Sequence, residues 1–176
     1  MILLQTYSKY KQISFHLILA LFLIGLFSKN ICAQSAILPS CLTTEELQQI
    51  EKEDNEQNRV KRLLKLSILR LKMAHQDIET QNYEEASNKI RDYGILINYT
   101  FAFINNSTKK DDDKKKMFKL LDLSVRKGLA MLKVLRYEFS GKYFEDTNVV
   151  HQKVCEVRTF ALAELFGKEF FPTNNK

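Results

Sequence analysis

Apolar residues recur every three or four positions between Val60 and Ile104, and this pattern is interrupted at Gln81-Asn82. Such spacing is typical of the buried face of an amphipathic helix. The sequence therefore predicts two long helices that fold back on each other at the interruption. The first predicted face consists of Val60, Leu64, Ser67, Leu71, Ala74 and Ile78, and the second of Tyr83, Ala86, Ile90, Tyr93, Ile97, Phe101 and Ile104.

A short helix is predicted before this pair. Thr43-Thr44-Glu45-Glu46 has the pattern of a capping box, in which the first threonine and the last glutamate satisfy each other's backbone N–H groups. It predicts a helix from about Thr44 to Lys52. The polar segment Glu53-Asp54-Asn55 predicts a break, followed by a new helix from about Glu56 to Thr80. A single helix through both segments is the alternative.

Two further helices are predicted after the pair. The turn Asn105 to Thr108 precedes the aspartates Asp111 to Asp113, whose negative charges suit the start of a helix. This helix is predicted to end at Ser140-Gly141-Lys142. The last helix is predicted to begin at a cap formed by Asp146 or Thr147.

The predicted end of the fold follows the last helix. Gly167 stands where a glycine cap ends a helix, and Phe170-Phe171-Pro172 is expected to pack on the end of the domain. The last residues, 172–176, are expected to be a disordered tail.

These elements predict an all-α fold. No proline occurs between Pro39 and Pro172, and no alternating strand pattern is bounded by turn residues. The connections between the long helices are short, which favours antiparallel neighbours. We therefore predict an up-down-up-down four-helix bundle with a short extra N-terminal helix, over residues 43–171. The up-up-down-down arrangement of helical cytokines is excluded, because it needs long crossovers.

Two glycines indicate a close crossing of helices. If the second and third long helices fold back near residue 111, Gly94 and Gly128 stand at the same level. Two glycines at one level would let the two backbones approach closely. The alternative is that each glycine is tolerated by chance, at a cost of about 1 kcal/mol.

The first 33 residues have the pattern of a secretory signal peptide. Lys9 and Lys11 precede an apolar run from Ile13 to Phe27, and the segment from Ser28 to Cys32 leads to a small residue, Ala33. We predict cleavage after Ala33, which leaves residues 34–42 as an N-terminal arm. A retained membrane anchor is the alternative, but the apolar run spans only about 22 Å of a hydrocarbon core of about 30 Å. Lipidation of Cys41 is a second alternative.

Cleavage changes the charge of the chain. The full sequence has 27 basic and 21 acidic residues, a net charge of +6. Loss of the leader takes away Lys9, Lys11 and Lys29 and no acidic residue, so the net charge falls to +3. Elsewhere the basic residues are interpreted as alternating with acids. Since phosphate binding needs clustered lysines and arginines on one face, no nucleic acid is predicted as a partner. No membrane span is predicted after cleavage.

No residue pattern indicates catalysis or a cofactor. His75 and His151 flank apolar faces, and no Glu-x-x-His pair or Cys-x-x-Cys-His motif is present. No serine lies in a sharp glycine-flanked turn with a base and an acid nearby. We therefore expect no metal ion, no cofactor and no enzyme activity.

The mature chain keeps two cysteines, Cys41 and Cys155. An oxidising compartment favours a disulfide between them. If the short helix folds back along the bundle, both cysteines stand at about the same height, so the sequence predicts this bridge. Two free thiols are the alternative. Asn105 and Asn106 begin glycosylation tripeptides in a predicted loop and are the candidate glycosylation sites.

Two likenesses are carried by the first pair of helices. Leu71 to Ile90 resembles one tetratricopeptide helix pair, although no second copy follows after 34 residues. Arg59 to Phe166 is similar to uncharacterised exported bacterial helical proteins, through its basic first helix and the Tyr83, Ala86 and Ile90 positions of the second. This similarity implies fold and export only.

The expected function is contact with a protein or with the cell envelope, outside the cell or in the periplasm. Two alternatives remain open. One is a carrier that holds an apolar ligand in the bundle core, in a cavity lined by residues such as Tyr93, Tyr99 and Phe101. The other is an inhibitor of a secreted enzyme, as in the four-helix invertase and pectin-methylesterase inhibitors, although their disulfides are missing here.

Overall fold

The computed structural model describes residues 39–167. The predicted signal peptide, the start of the arm and the segment from Phe170 to the C-terminus lie outside the described residues. Within residues 39–167 the chain forms five helices and no strand, which confirms the predicted all-α class. The helices are α1 (Thr44–Glu51), α2 (Glu56–Glu79), α3 (Tyr83–Asn105), α4 (Asp111–Glu138) and α5 (Gly141–Phe166).

Side-chain caps set the starts of the first two helices. At α1 the Thr43 hydroxyl accepts the Glu46 N–H at 3.2 Å, and the Glu46 carboxylate accepts the Thr43 N–H at 3.0 Å. At α2 the Asn55 side chain accepts the Gln57 N–H at 2.8 Å. Each bond satisfies an N–H that has no partner within its helix. The capping box and the break before Glu56 are confirmed, and the single-helix alternative is wrong.

The turn between α2 and α3 is as tight as predicted. Gln81 has a φ of 62°, and Asn82 donates its N–H to the Asp77 carbonyl at 2.7 Å. Chain reversal over so few residues holds α2 and α3 side by side. They share the most extensive packing in the domain.

The start of α5 differs from the prediction. The helix begins at Gly141, and Thr147 lies inside it, where its hydroxyl donates to the Tyr143 carbonyl at 2.8 Å instead of capping. Tyr143 packs against Phe139 and Tyr83, with ring centroids 6.0 and 6.4 Å away. Because this aromatic contact favours a helical backbone around Tyr143, α5 starts a full turn earlier than the polar residues suggest.

The hydrophobic core lies around α3 and α4. Each of these helices packs against all three other long helices, whereas no Cα atoms of α2 and α5 come within 8 Å of each other. The helix α1 packs mainly against α2, and Leu96 of α3 joins Ile50 of α1 in one apolar cluster. Two grooves are left on the surface as a result, one between α2 and α4 and one between α3 and α5. Among the described residues, no helix combines the length and apolar character that crossing a bilayer requires.

Candidate functional site

The groove between α2 and α4 is a concave surface of the described domain. Its volume is about 600 Å³, within the range of small-molecule binding sites. Its floor is apolar, and the Leu69 side chain is 42% exposed there although it stands in the middle of a long helix. We call this surface the α2/α4 groove. The floor consists of Leu64, Leu66, Ile68, Leu69 and Leu120.

Five basic side chains surround this floor, and no acidic residue lines it. Within residues 39–167 none of the five lies within 4.0 Å of a carboxylate oxygen. Their positive charges are therefore not neutralised by the protein. The five are Lys61, Arg62, Lys65 and Lys72 of α2 and Lys127 of α4.

Arg62 is the most enclosed of these cations. One of its terminal nitrogens donates to the Gln49 side chain of α1, while its Nε is buried and has no hydrogen-bond partner among the described residues. A guanidinium has five N–H donors. Part of the Arg62 donor capacity therefore remains unused at the α1 end of the groove.

The sequence held a signal for this groove that was missed. No acidic residue occurs between Glu56 and Asp77, although that stretch holds six lysines and arginines. The interpretation that bases alternate with acids does not hold for α2. The contribution of Lys127 has no comparable signal, because only the fold brings α4 beside α2.

A second charged cluster fastens α1 to α2 and α3. Arg70, nearly buried, donates to the Glu46 carboxylate at 2.6 Å and to the Cys41 carbonyl at 3.0 Å, and its Nε lies 3.8 Å from Asp92. Burial alone would raise the pKa of Glu46, but the hydrogen bonds from Arg70 and the Thr43 N–H bring it below its ordinary value. Burial outweighs the Arg70 charge at Asp92, so the pKa of that carboxyl is raised.

A third cluster joins α4 to α5. Asp122 is buried and accepts from Arg158 of α5 at 2.9 Å, and it also pairs with Arg126 one turn along α4 at 3.2 Å. Both carboxylate oxygens are therefore occupied. This arrangement holds two helices together and leaves no acid free to act in proton transfer.

The prediction that Gly94 and Gly128 face each other where two helices cross is wrong, because each glycine faces another residue. A Cβ at Gly128 would lie 2.6 Å from Tyr93 Cζ, whereas a Cβ at Gly94 would lie 3.0 Å from the Val150 side chain of α5. Gly128 thus makes room for an aromatic ring rather than for the other glycine. The predicted level is correct, since Tyr93 and Gly94 are adjacent. The physical reason for the error is that neighbours on a helix point about 100° apart.

Tyr93 places a phenol in the core without a hydrogen bond. Its side chain is fully buried, and its hydroxyl has no partner within the described chain. Burial raises its pKa well above the ordinary tyrosine value, and the nearby Cys155 adds to this effect. The phenol therefore stays protonated at neutral pH.

The predicted bridge between Cys41 and Cys155 is not formed, and both cysteines are free. Cys41 lies on the outer side of α2 and α3, where its carbonyl binds Arg70, whereas Cys155 lies on α5. Because α5 packs on α3 and α4 but not on α1 or α2, matching heights do not bring the two thiols together. Burial, followed by the Asp92 charge, raises the pKa of the Cys41 thiol to about 11.

The residues suggested for a ligand cavity do not line one cavity. Tyr93 is in the core, and Tyr99 packs in an outer cluster with Leu42 and Leu96. Phe101 lines the groove between α3 and α5, which has a volume of about 450 Å³ and an exposed Phe160 at its edge. The two basic residues and the one acidic residue lining that groove leave its charge nearly balanced.

The remaining candidate residues are spread over the surface. Asn105 and Asn106 are exposed at the end of α3, the location expected of glycosylation sites. His75 is exposed and lies 3.7 Å from Glu79. His151 is half-buried beside Cys155, and burial together with the Arg136 charge lowers its pKa.

No group of three or more metal-binding side chains comes together in the part of the chain described here. No protein-family model, curated protein or solved structure matches the chain. The α2/α4 groove is therefore the candidate site on its geometry and charge alone.

Proposed function

We propose that this protein is an exported, non-enzymatic helical bundle that acts by contact, and that the α2/α4 groove receives an acidic partner. One observation carries the proposal: five cations without ionic partners surround an apolar floor in which Leu69 is exposed. Unpaired like charges repel one another, so their gathering costs stability that an anionic partner would restore. The carboxylates of Asp122 and Glu46, in contrast, are each paired with an arginine.

We propose that the four long helices run up, down, up and down. In support, residues early in one helix contact residues late in the next, as antiparallel packing requires. These pairs are Glu56 with Ser107 and Arg70 with Asp92 between α2 and α3, Tyr93 with Gly128 and Phe101 with Phe118 between α3 and α4, and Asp122 with Arg158 and Arg136 with Asn148 between α4 and α5.

We propose export on the pattern of residues 1–33, and the similarity to uncharacterised exported bacterial helical proteins agrees with it. A periplasmic or secreted location fits a contact function, because envelope components and exported proteins would be the accessible partners. No nucleic acid is proposed as the occupant of the groove.

The test compares two charge-reversal variants in the native cells. Lys61→Glu/Lys65→Glu changes the groove, and Lys119→Glu/Lys133→Glu makes the same charge change at exposed α4 positions that do not line it. After chemical cross-linking and purification, mass spectrometry should find acidic envelope components with the natural protein and with the control, but not with the groove variant. Retention of the same components by the groove variant would refute the proposal.

A further inference from the structure

We propose that the α2/α4 groove binds a single-chain amphiphile with a phosphate monoester headgroup, of the lysophosphatidic acid class. This inference rests on the proposed function, since it names the acidic partner. Two separate features of the groove correspond to the two parts of such a molecule. The apolar floor would take the alkyl chain, and the cations would take the headgroup.

The floor has the apolar surface that an alkyl chain needs. Leu64, Ile68 and Leu120 line the groove beside the half-exposed Leu69. The groove is concave, so it would surround a single chain, whereas a flat bilayer surface would not reach its floor. Each methylene that leaves water strengthens binding by about fourfold.

The headgroup site is at the α1 end of the groove. Lys61, Arg62 and Lys65 lie within five successive residues, about 6 Å along the helix. Gln49 of α1 lines the same end of the groove and adds an amide. A phosphate monoester carries a charge of about −1.5 to −2 near neutral pH and three acceptor oxygens, so it matches several donors at one place.

This concentration of charge favours one headgroup over an acidic helix. Carboxylates along a partner helix would be spread over its length, and they would be matched by cations spread evenly along both edges of the groove. Here three of the five cations lie within one turn of α2, and α4 supplies only Lys127.

The direct test is titration calorimetry at physiological ionic strength. It uses the protein purified from its own cells in the form that accumulates there. Octyl, decyl and dodecyl phosphate are used below the concentrations at which they form micelles. We expect the Kd to fall by roughly fifteenfold for each added pair of methylenes. Two control ligands separate the contributions: inorganic phosphate has the headgroup without a chain, and dodecyltrimethylammonium has the same chain with a positive headgroup. Both should bind at least about 100-fold more weakly than dodecyl phosphate.

Several results would overturn the inference. These are an affinity that does not depend on chain length, equal binding of inorganic phosphate, and equal binding of the cationic amphiphile. Displacement of dodecyl phosphate by a lower concentration of a helical peptide with a leucine face and glutamate flanks would identify the groove as a protein-docking site instead.

Matched variants locate the binding. Lys61→Glu/Lys65→Glu should weaken dodecyl phosphate binding by at least about tenfold, and Lys119→Glu/Lys133→Glu should change it by less than about threefold, because distant surface charges are screened. Leu69→Gln should weaken binding of the long chain, and Leu123→Gln, at a similarly exposed position outside the groove, should not. Circular dichroism checks that each variant is folded.

The two proposals can fail separately. If no alkyl phosphate binds but the groove variant still loses its cross-linked envelope components, the amphiphile inference is wrong and the contact function stands. If alkyl phosphates bind the natural protein and both charge variants equally, the groove is not their site and this inference is also wrong.

Discussion

Gly128 and Tyr93 form a pair in which one residue leaves the space that the other fills. The ring of Tyr93 lies so close to the Gly128 backbone that even a methyl group would overlap it. Glycine costs about 1 kcal/mol relative to alanine inside a helix. That cost is offset here by the burial of a whole aromatic ring between α3 and α4.

Replacing Gly128 by alanine should destabilise the protein in spite of the better helix propensity. The added Cβ would lie 2.6 Å from Tyr93 Cζ, so the ring has to move within a packed core. We expect a loss of roughly 1–3 kcal/mol in urea unfolding. Gly94→Ala is the control, with only a 3.0 Å contact to Val150, and it should stay within about 1 kcal/mol. An unchanged or increased stability of Gly128→Ala would contradict this packing.

Tyr93→Phe should keep or increase stability. The variant preserves the ring and removes a buried hydroxyl that has no hydrogen-bond partner in the described structure. An unsatisfied buried polar group costs about 1–3 kcal/mol. The same unfolding experiment measures the change. A loss of more than about 1 kcal/mol would mean that the hydroxyl makes a stabilising hydrogen bond.

Part of this pair was readable from the sequence. Tyr93 belongs to the predicted apolar face of its helix and Gly94 does not, so Tyr93 was the residue to expect opposite Gly128. The level was predictable from the lengths of two helices and their connection. To predict that Tyr93 rather than Gly94 contacts Gly128, one must know how α3 is rotated about its axis. That rotation depends on all the helices that pack against α3.

At the scale of elements, α1 is the least secured part of the described domain. Its backbone lies close to that of α2 alone, and its firmest polar contact is the ion pair between Glu46 and Arg70. A short helix held by one small interface can open without unfolding the rest. The link at residues 52–55 would become accessible to proteases when it opens.

Opening of α1 should depend on pH through Glu46. Because the pKa of Glu46 is lowered by folding, its contribution is complete above the ordinary carboxyl pKa and is lost as the pH falls through the lowered value. In Glu46→Gln, cleavage at residues 52–55 should be fast at neutral pH and change little on acidification. Glu51→Gln, at an exposed position of the same helix, is the control. Equal cleavage rates for the two variants would refute this role of the ion pair.

Helix starts could be predicted where the cap is local and not where it depends on tertiary packing. Thr43 and Asn55 act on N–H groups two or three residues away, so the sequence contains all that is needed. The start of α5 depends on rings from three segments of the chain, Tyr83, Phe139 and Tyr143. Polar residues at 146 and 147 therefore gave the wrong start.

For the molecule as a whole, the level of a residue along its helix axis was easier to predict than the direction in which its side chain points around that axis. Cys41 and Cys155 lie near the adjacent residues Asp92 and Tyr93 of α3, so their predicted common height is reasonable. They lie on different sides of that helix. The α2/α4 groove was missed for the same reason, since its cations come from helices that are not consecutive.

Export and the state of the thiols can be tested together. N-terminal sequencing of the exported protein should begin near Gln34, because cleavage after Ala33 removes the leader. Thiol titration of the denatured, unreduced protein should then give two free cysteines, since Cys32 leaves with the leader and Cys41 and Cys155 are unbridged. A chain that starts at Met1 would contradict export with cleavage, and an absence of titratable thiols would contradict the unbridged pair.

The acid-free stretch of α2 also has a kinetic consequence. Because four of its six cations line the groove while the other charges of the chain are more evenly mixed, an approaching anion is drawn toward one side of the molecule. Such steering raises association rates by about 10–10³-fold and weakens steeply as ionic strength rises. Diffusion would therefore deliver an anionic ligand preferentially to the side of the molecule that carries the groove.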